Sequence, residues 1–198
     1  MSPVVLASAS KIRSKILLNA GVPHTCETSG IDEHIIKERL IGDGSDVETA
    51  ASALAEAKAE DVARNHPEAL VIGADQILEC EGRWFDKPKD LGAAAETLRA
   101  LRGRKHRLIS AVSVFRKGSL DWGYLEAPSL TMRDFSDGFL EDYIKASGPE
   151  ILESVGAYRL EGTGAQLFSR IEGNYFTILG LPLLALLDFL RKVDALAE

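Results

Sequence analysis

Asp75 is the residue of this chain whose position most strongly indicates chemistry. It directly follows the apolar run 69–74, ALVIGA, which predicts a central strand that carries a polar group at its carboxyl end. A carboxylate there is costly to bury unless a metal ion or hydrogen-bond donors compensate its charge. We therefore predict that Asp75 has a catalytic or metal-binding role.

A second group of polar residues lies near the start of the chain, where Ser8 and Ser10 form part of a small-residue turn before a predicted helix. The beginning of a helix directs backbone N–H groups outwards and favours anions. Lys11, Arg13 and Lys15 add positive charge to the same segment. Taken alone, this pattern fits an ordinary serine-capped helix with a solvated basic face better than it fits a phosphate-binding turn.

Four further charged residues are ambiguous when each is considered alone. The adjacent acids Asp32 and Glu33 are predicted to lie in a loop, where such pairs are usually solvated. Lys58 falls within an apolar-rich predicted helix, and a lysine there usually extends its charged end to the surface. Lys87 precedes Pro88, which favours an extended backbone at the lysine.

The composition restricts the classes of function. The chain has 198 residues, 45% of them hydrophobic, which favours one domain over residues 1–198. Its formal charge of −7 argues against nucleic-acid binding but permits a small anionic substrate that is bound by local cations and a divalent metal. Neither a signal peptide nor an apolar run of membrane-spanning length is evident, so we expect a cytoplasmic protein without a membrane partner. Cys26 and Cys80 lack paired spacing, and we expect no disulfide or zinc site.

The pattern of apolar and turn residues predicts a mixed α/β domain with parallel and hairpin elements. A capping box at residues 45–48 predicts the firmest helix, which runs to about Asn65. The other predicted helices are a segment ending near Leu18, 91–101, a segment through 139–144 that ends at Gly148, and 181–190. The predicted strands are 4–8, a short one within 24–29, 69–75, 76–80, 83–85, 106–116, 119–126 and 165–171.

The order of these motifs resembles the Maf family of nucleotide pyrophosphatases from Val4 to about Leu190. Nine short segments carry the resemblance: LASAS at 6–10 with Arg13, DE at 32–33, AKA at 57–59, IGAD at 72–75, DKPKD at 86–90, GRKH at 103–106, GAY at 156–158, IEGN at 171–174 and LGLPL at 179–183. Any one of these segments alone would be weak, but nine in register are very improbable by chance.

The resemblance implies an elongated mixed β-sheet flanked by helices, as in Maf and ITPase folds, with two lobes, a central cleft and a possible homodimer. It also implies hydrolysis of a nucleoside triphosphate to the monophosphate and pyrophosphate, with Mg²⁺ or Mn²⁺ held by Glu33 and Asp75. Asp75 would also orient or deprotonate the attacking water. The residues expected to bind the triphosphate are Ser8, Ser10, Arg13, Lys58 and Lys87.

Three positions bear on the choice of base. Ile12 stands where the family usually has an arginine, between Lys11 and Arg13. Gln76 and Glu161 replace the threonine and glutamine of the branch that acts on thymidine and uridine triphosphates, and they resemble the branch associated with 7-methyl-GTP. We therefore expect Ile12, Gln76 and Glu161 to determine specificity. A pyrophosphatase of the dTTP/UTP type remains an alternative, as does a nucleotide-binding regulator of cell division and septum formation with little turnover.

Overall fold

The computed structural model describes residues 2–197, which form a mixed α/β structure as predicted. Its strands are β1 (Val4–Leu6), β2 (Thr25–Cys26), β3 (Leu70–Cys80), β4 (Arg83–Phe85), β5 (Lys105–Arg116), β6 (Ser119–Glu126), β7 (Ser129–Met132) and β8 (Phe168–Glu172). Its helices are α1 (Lys11–Asn19), α2 (Glu33–Gly42), α3 (Val47–Ala63), α4 (Leu91–Leu101), α5 (Asp137–Ser147), α6 (Tyr175–Ile178) and α7 (Leu183–Lys192). Two 3-10 helices cover Gly148–Glu153 and Thr163–Leu167.

The strands form a mixed sheet in the order β2-β1-β3-β5-β7-β8, with β4 paired to β3 and β6 paired to β5. β1 is parallel to both β2 and β3, whereas the β3/β4, β5/β6, β5/β7 and β7/β8 pairs are antiparallel. The mixed sheet predicted from the sequence is therefore confirmed.

The described residues divide into two compact units. The first unit consists of residues 2–76, 110–126 and 174–197, and the second of residues 77–109 and 127–173. β3 and β5 each contribute residues to both units. The single domain over residues 1–198 and the central cleft stay predictions.

The alternation of side chains along β1 and β3 builds the core of the first unit. Successive strand residues point to opposite faces of a sheet. Leu6 and Ile72 accordingly belong to an apolar cluster with residues of α1 and α7, whereas Val5 and Val71 belong to a second cluster with residues of α3. Asp75 lies four residues after Val71 in the same strand, so both side chains are on the face of β3 that packs against α3.

Gly73 allows α3 to approach β3 closely. A Cβ atom added to Gly73 would lie 2.1 Å from the carbonyl oxygen of Ala55 and 2.7 Å from the backbone nitrogen of Ala59. Both contacts are with the backbone of α3, which cannot move away as a flexible side chain would. The glycine therefore sets the spacing that brings Lys58 of the helix and Asp75 of the strand together.

The second unit has its own apolar core and one buried histidine. Leu98 of α4, Leu130 of β7 and Leu140 of α5 are fully buried in it. His106 is also buried and its Nε2 forms a 2.9 Å hydrogen bond with the Tyr158 hydroxyl. Burial lowers the pKa of His106 to about 4, so this side chain is neutral at physiological pH.

The long elements were predicted best. α3, α4, α5 and the β5/β6 hairpin occupy the predicted segments, although Asp46, not Ser45, caps α3 by accepting from the backbone N–H of Thr49. β7 and α6 were not predicted, and the strand predicted at 165–171 is a 3-10 helix followed by β8. α7 begins at Leu183, two residues later than predicted.

The predicted loop at Asp32 and Glu33 is wrong, because these residues begin α2. The Asp32 carboxylate accepts from the backbone N–H groups of His34 and Ile35, and Glu33 is the first residue of the helix. Ile35 and Ile41 are exposed in this helix, so α2 lacks the apolar stripe that predicts a packed helix from sequence.

The position of Asp75 within its strand also differs from the prediction. β3 continues to Cys80, so Asp75 is within the strand and not at its end. Its parallel pairing with β1 nevertheless ends at the Leu6–Ile72 pair, and Asp75 lies three residues beyond it.

Two expectations about the surface and the thiols are also addressed by the structure. Within residues 2–197 no helix has the length and apolar character needed to cross a bilayer. Cys26 is exposed and Cys80 is buried, and both are free thiols.

Replacement of Gly73 by alanine is expected to destabilise the protein. The added methyl group would force β3 and α3 apart, and overpacking of this kind costs about 1–3 kcal/mol or more. Urea unfolding of Gly73→Ala measures the loss. Gly42→Ala is the control, because nothing lies within 4 Å of the carbon added there. An equal effect of the two substitutions would contradict the close-approach role of Gly73.

Candidate functional site

A buried ion pair between Lys58 and Asp75 is the centre of the candidate site in the first unit. Lys58 Nζ donates to Asp75 Oδ1 at 2.6 Å, and both residues are 7% exposed. The same Nζ lies 2.8 Å from Glu33 Oε2, at the start of α2. Three of the residues predicted for the site are thus brought together at one lysine nitrogen.

Arg13 is the second cation near Asp75. Its Nε donates to the carbonyl oxygen of Gly180 and its Nη1 to that of Ala74, each at 2.8 Å. Burial lowers the pKa of Arg13, while the carboxylates of Asp75 and Glu33 act in the opposite direction. Two cations and two carboxylates therefore balance here before any ligand is bound.

Gly180 is needed where the guanidinium approaches the backbone. Its φ of +99° is one that residues with a side chain rarely adopt, and a Cβ atom there would lie 3.4 Å from Arg13 Nε. The glycine thus keeps its carbonyl group accessible to Arg13.

Ser8 and Ser10 use their oxygens to organise the turn before α1. Ser10 caps the helix by accepting from the backbone N–H of Arg13 at 3.4 Å. Ser8 Oγ accepts from the backbone N–H of Ser10 at 3.2 Å and from Arg13 Nη1 at 3.4 Å. Because each hydroxyl accepts these bonds, its proton can be donated to a further acceptor such as a phosphate oxygen.

A cavity of about 440 Å³ opens beside the two serines. Its wall includes Lys11 and Lys15, the basic residues of the outer face of α1. The lining residues are Ser8, Ala9, Ser10, Lys11, Ser14, Lys15, Leu18, Asn19, Cys26 and Thr28. The serines therefore border an open, cationic space, whereas Arg13 turns towards Ala74 and Gly180.

Gln76 is held by a network that the sequence did not reveal. Its Nε2 donates to Ser110 Oγ at 2.7 Å and to the carbonyl oxygens of Thr177 at 3.0 Å and Ile178 at 3.3 Å. The Ser110 hydroxyl itself donates to the Thr177 carbonyl at 3.0 Å. A serine within a buried strand was the only signal in the sequence that a polar group is required there.

The remaining predicted residues have other surroundings. Ile12 is half-buried and packs against the apolar cluster of the first unit. Lys87 and Glu161 both belong to the second unit. Lys87 is exposed in the segment between β4 and α4, beside the buried Pro88. Glu161 Oε1 accepts from Arg159 Nε at 3.0 Å.

Glu33 and Asp75 are the two carboxylates predicted to hold a divalent metal, and both belong to the first unit. Glu33 and Asp75 supply hard oxygen ligands that converge on Lys58, the ligand type that Mg²⁺ prefers. Among residues 2–197, however, no three His, Cys, Asp or Glu side chains cluster closely enough to hold a metal. This donor set fits Mg²⁺ when substrate phosphates supply the other ligands, which is its usual arrangement.

Comparisons with known proteins agree with this chemistry. The family model described as Maf-like protein matches residues 3–193. A nucleoside triphosphate pyrophosphatase of Paramagnetospirillum magneticum is 49% identical over 95% of this chain and 97% of its own length. One of the same name from Rhodospirillum rubrum is 50% identical over 96% of this chain and 94% of its own length. A 7-methyl-GTP pyrophosphatase of Rhizobium meliloti is 47% identical over 99% of both chains.

Removal of Lys58 is expected to be more damaging than removal of the whole ion pair. Lys58→Met leaves the buried Asp75 carboxylate without its main partner, which typically costs about 3–5 kcal/mol. In the double variant Lys58→Met/Asp75→Asn the uncompensated charge is gone, so part of the stability returns. A double-mutant cycle of unfolding free energies at pH 7.5 measures this coupling.

The exposed pair Asp188 and Arg191, 2.9 Å apart, is the control for that cycle. Its coupling is expected to stay below about 1 kcal/mol because water screens it. Equal coupling free energies in the two cycles would show that burial does not strengthen the interaction between Lys58 and Asp75.

Proposed function

The chain belongs to the Maf-like protein family, and on that premise we propose that it is a nucleoside triphosphate pyrophosphatase, a hydrolase of phosphoric anhydrides. Water attacks the α-phosphorus, a new P–O bond forms, and the bond to the α–β bridging oxygen breaks. The products are a nucleoside monophosphate and pyrophosphate. The observation that carries the proposal is the convergence of Asp75, Glu33 and Lys58 in the first unit.

In this proposal Asp75 is the general base. Its carboxylate orients the attacking water and accepts a proton from it, while Lys58 fixes the position of the carboxylate by hydrogen bonding. Ser8, Ser10, Arg13, Lys58 and Lys87 bind the triphosphate by donating hydrogen bonds to its oxygens. Ile12, Gln76 and Glu161 determine which base is accepted.

Glu33 and Asp75 are the proposed ligands of a divalent cation, Mg²⁺ or Mn²⁺. Bound there, the cation supplies charge neutralisation for the phosphate oxygens. The need for it follows from the charges around Lys58, whose ammonium group already contacts the carboxylates of both Asp75 and Glu33. A triphosphate therefore requires further positive charge.

The alternative of a regulator with little turnover is not favoured. The curated relatives carry the names of pyrophosphatases. A protein that only bound nucleotides would also not need a carboxylate that is nine-tenths buried beside the phosphate-binding residues, since that carboxylate repels an anionic ligand.

Asp75→Asn is expected to keep the fold and lose nearly all hydrolysis. The amide has almost the same shape as the carboxylate but cannot accept the proton of the attacking water. Pyrophosphate release over a panel of nucleotides measures the loss, and circular dichroism checks the fold. Asp188→Asn, at an exposed site, should retain the full rate. Substantial turnover by a folded Asp75→Asn protein would exclude Asp75 as the base.

The products and the metal requirement form a separate test. With Mg²⁺ present, ³¹P NMR should show the monophosphate and pyrophosphate as the products. Addition of EDTA should abolish turnover and a molar excess of Mg²⁺ should restore it. Appearance of inorganic phosphate with a diphosphate would instead assign the attack to the γ-phosphorus, and turnover that persists in EDTA would remove the metal from the proposal.

The preferred base is expected to be guanine or 7-methylguanine. A carboxylate at position 161 accepts hydrogen bonds, and guanine presents both N1–H and an amino group. We therefore expect higher kcat/KM for GTP and 7-methyl-GTP than for dTTP and UTP, and a smaller difference in Glu161→Gln. Side-by-side kinetics on these four nucleotides decide between this assignment and the dTTP/UTP-type alternative, which predicts the opposite order.

A further inference from the structure

The amide of Gln76 has one orientation that its surroundings accept. Thr177 and Ile178 face it with carbonyl oxygens, which accept hydrogen bonds and cannot donate them. If the amide were rotated by 180°, its oxygen would face these two oxygens and both contacts would become repulsive. The nitrogen is therefore the end that faces α6.

Ser110 reinforces the same orientation. Its hydroxyl proton is committed to the Thr177 carbonyl at 3.0 Å, so its oxygen can only accept from Gln76 Nε2, at 2.7 Å. Ser110 is fully buried, so bulk solvent does not compete for either bond. The hydroxyl thus behaves as a fixed acceptor towards Gln76.

The carbonyl groups of α6 are themselves anchored. Thr177 is fully buried and its Oγ1 donates to Glu126 Oε2 at 2.5 Å, which ties α6 to the end of β6. Asn174 caps the helix by accepting from the backbone N–H of Phe176 at 2.9 Å. The acceptors that face Gln76 are therefore parts of a fixed frame and do not adapt to a rotated amide.

We propose that Ser110 is a positioning residue which, with the carbonyl groups of Thr177 and Ile178, locks Gln76 so that its Oε1 faces the base as a hydrogen-bond acceptor. This proposal rests on the function proposed above and specifies its substrate class: triphosphates whose base presents a ring N–H donor. Guanine has such a donor at N1, whereas adenine has a lone pair there. A locked acceptor therefore favours GTP over ATP.

The first test measures, by protein stability and without enzyme turnover, whether the surroundings of Gln76 fix its amide orientation. Gln76→Glu places a carboxylate oxygen against the α6 carbonyls, whereas Gln76→Met removes hydrogen bonding without adding charge. At pH 8 the urea midpoint of Gln76→Glu should lie below that of Gln76→Met. An equal or higher urea midpoint for Gln76→Glu at pH 8 would contradict the proposal that these acceptors fix the orientation of Gln76.

The second test measures selectivity. In Ser110→Ala the ratio of kcat/KM for GTP to that for ATP should fall by about threefold to tenfold, the range expected for one hydrogen bond. Ser113→Ala, at another buried serine of β5, should leave the ratio unchanged. An unchanged ratio in Ser110→Ala would overturn the positioning role.

The two tests separate failure of the inference from failure of the proposed function. If the unmodified protein released pyrophosphate from no nucleotide, the pyrophosphatase proposal would fail, and the proposed selectivity would fail with it. The urea midpoints would not change that conclusion. If it hydrolysed nucleotides but preferred ATP to GTP, the function would stand and the acceptor role of Gln76 would be wrong.

Discussion

The buried ion pair of Lys58 and Asp75 is the interaction on which the arrangement of the first unit depends. A carboxylate that is 7% exposed is tolerated only if a cation reaches it, and the cation comes from α3. Lys58 reaches the strand because Gly73 admits the backbone of α3 at contact distance. The site therefore depends on the glycine of IGAD as well as on the aspartate, although the glycine has no side chain.

Backbone carbonyl groups hold the Arg13 side chain in place by accepting its hydrogen bonds, as Asp75 does for Lys58. The guanidinium donates to the carbonyl oxygens of Ala74 and Gly180, so a residue of α1 is tied to β3 and to the segment before α7. Neutral acceptors hold the arginine without cancelling its charge. Arg13 can thus be fixed in place and still attract an anion, whereas an arginine paired to a carboxylate would lose much of that attraction.

The sequence predicted the elements and residues whose signals are local. Helix α3 follows from its cap and alanine-rich composition, and Asp75 stands out because a carboxylate interrupts an apolar run. The contacts of Gln76 with Ser110 and Thr177 join residues 34 and 101 positions apart, and no spacing rule connects them. Helix α2 was missed for a different reason: Ile35 and Ile41 face water, so the continuous apolar stripe that marks a packed helix is absent.

The pleat of β3 imposes a further constraint, because Asp75 and Gln76 are consecutive and their side chains leave opposite faces of the strand. Asp75 points to α3, whereas Gln76 points to α6 and Ser110. A single nucleotide that contacts both must therefore pass along the edge of the strand and not over one face. Pairing with β1 ends at Ile72, and at Ala74 the strand carbonyl accepts from Arg13 instead of from a neighbouring strand. Because β1 ends early, the guanidinium of Arg13 occupies this edge of β3. A phosphate chain that passes along the edge would therefore lie close to a cation.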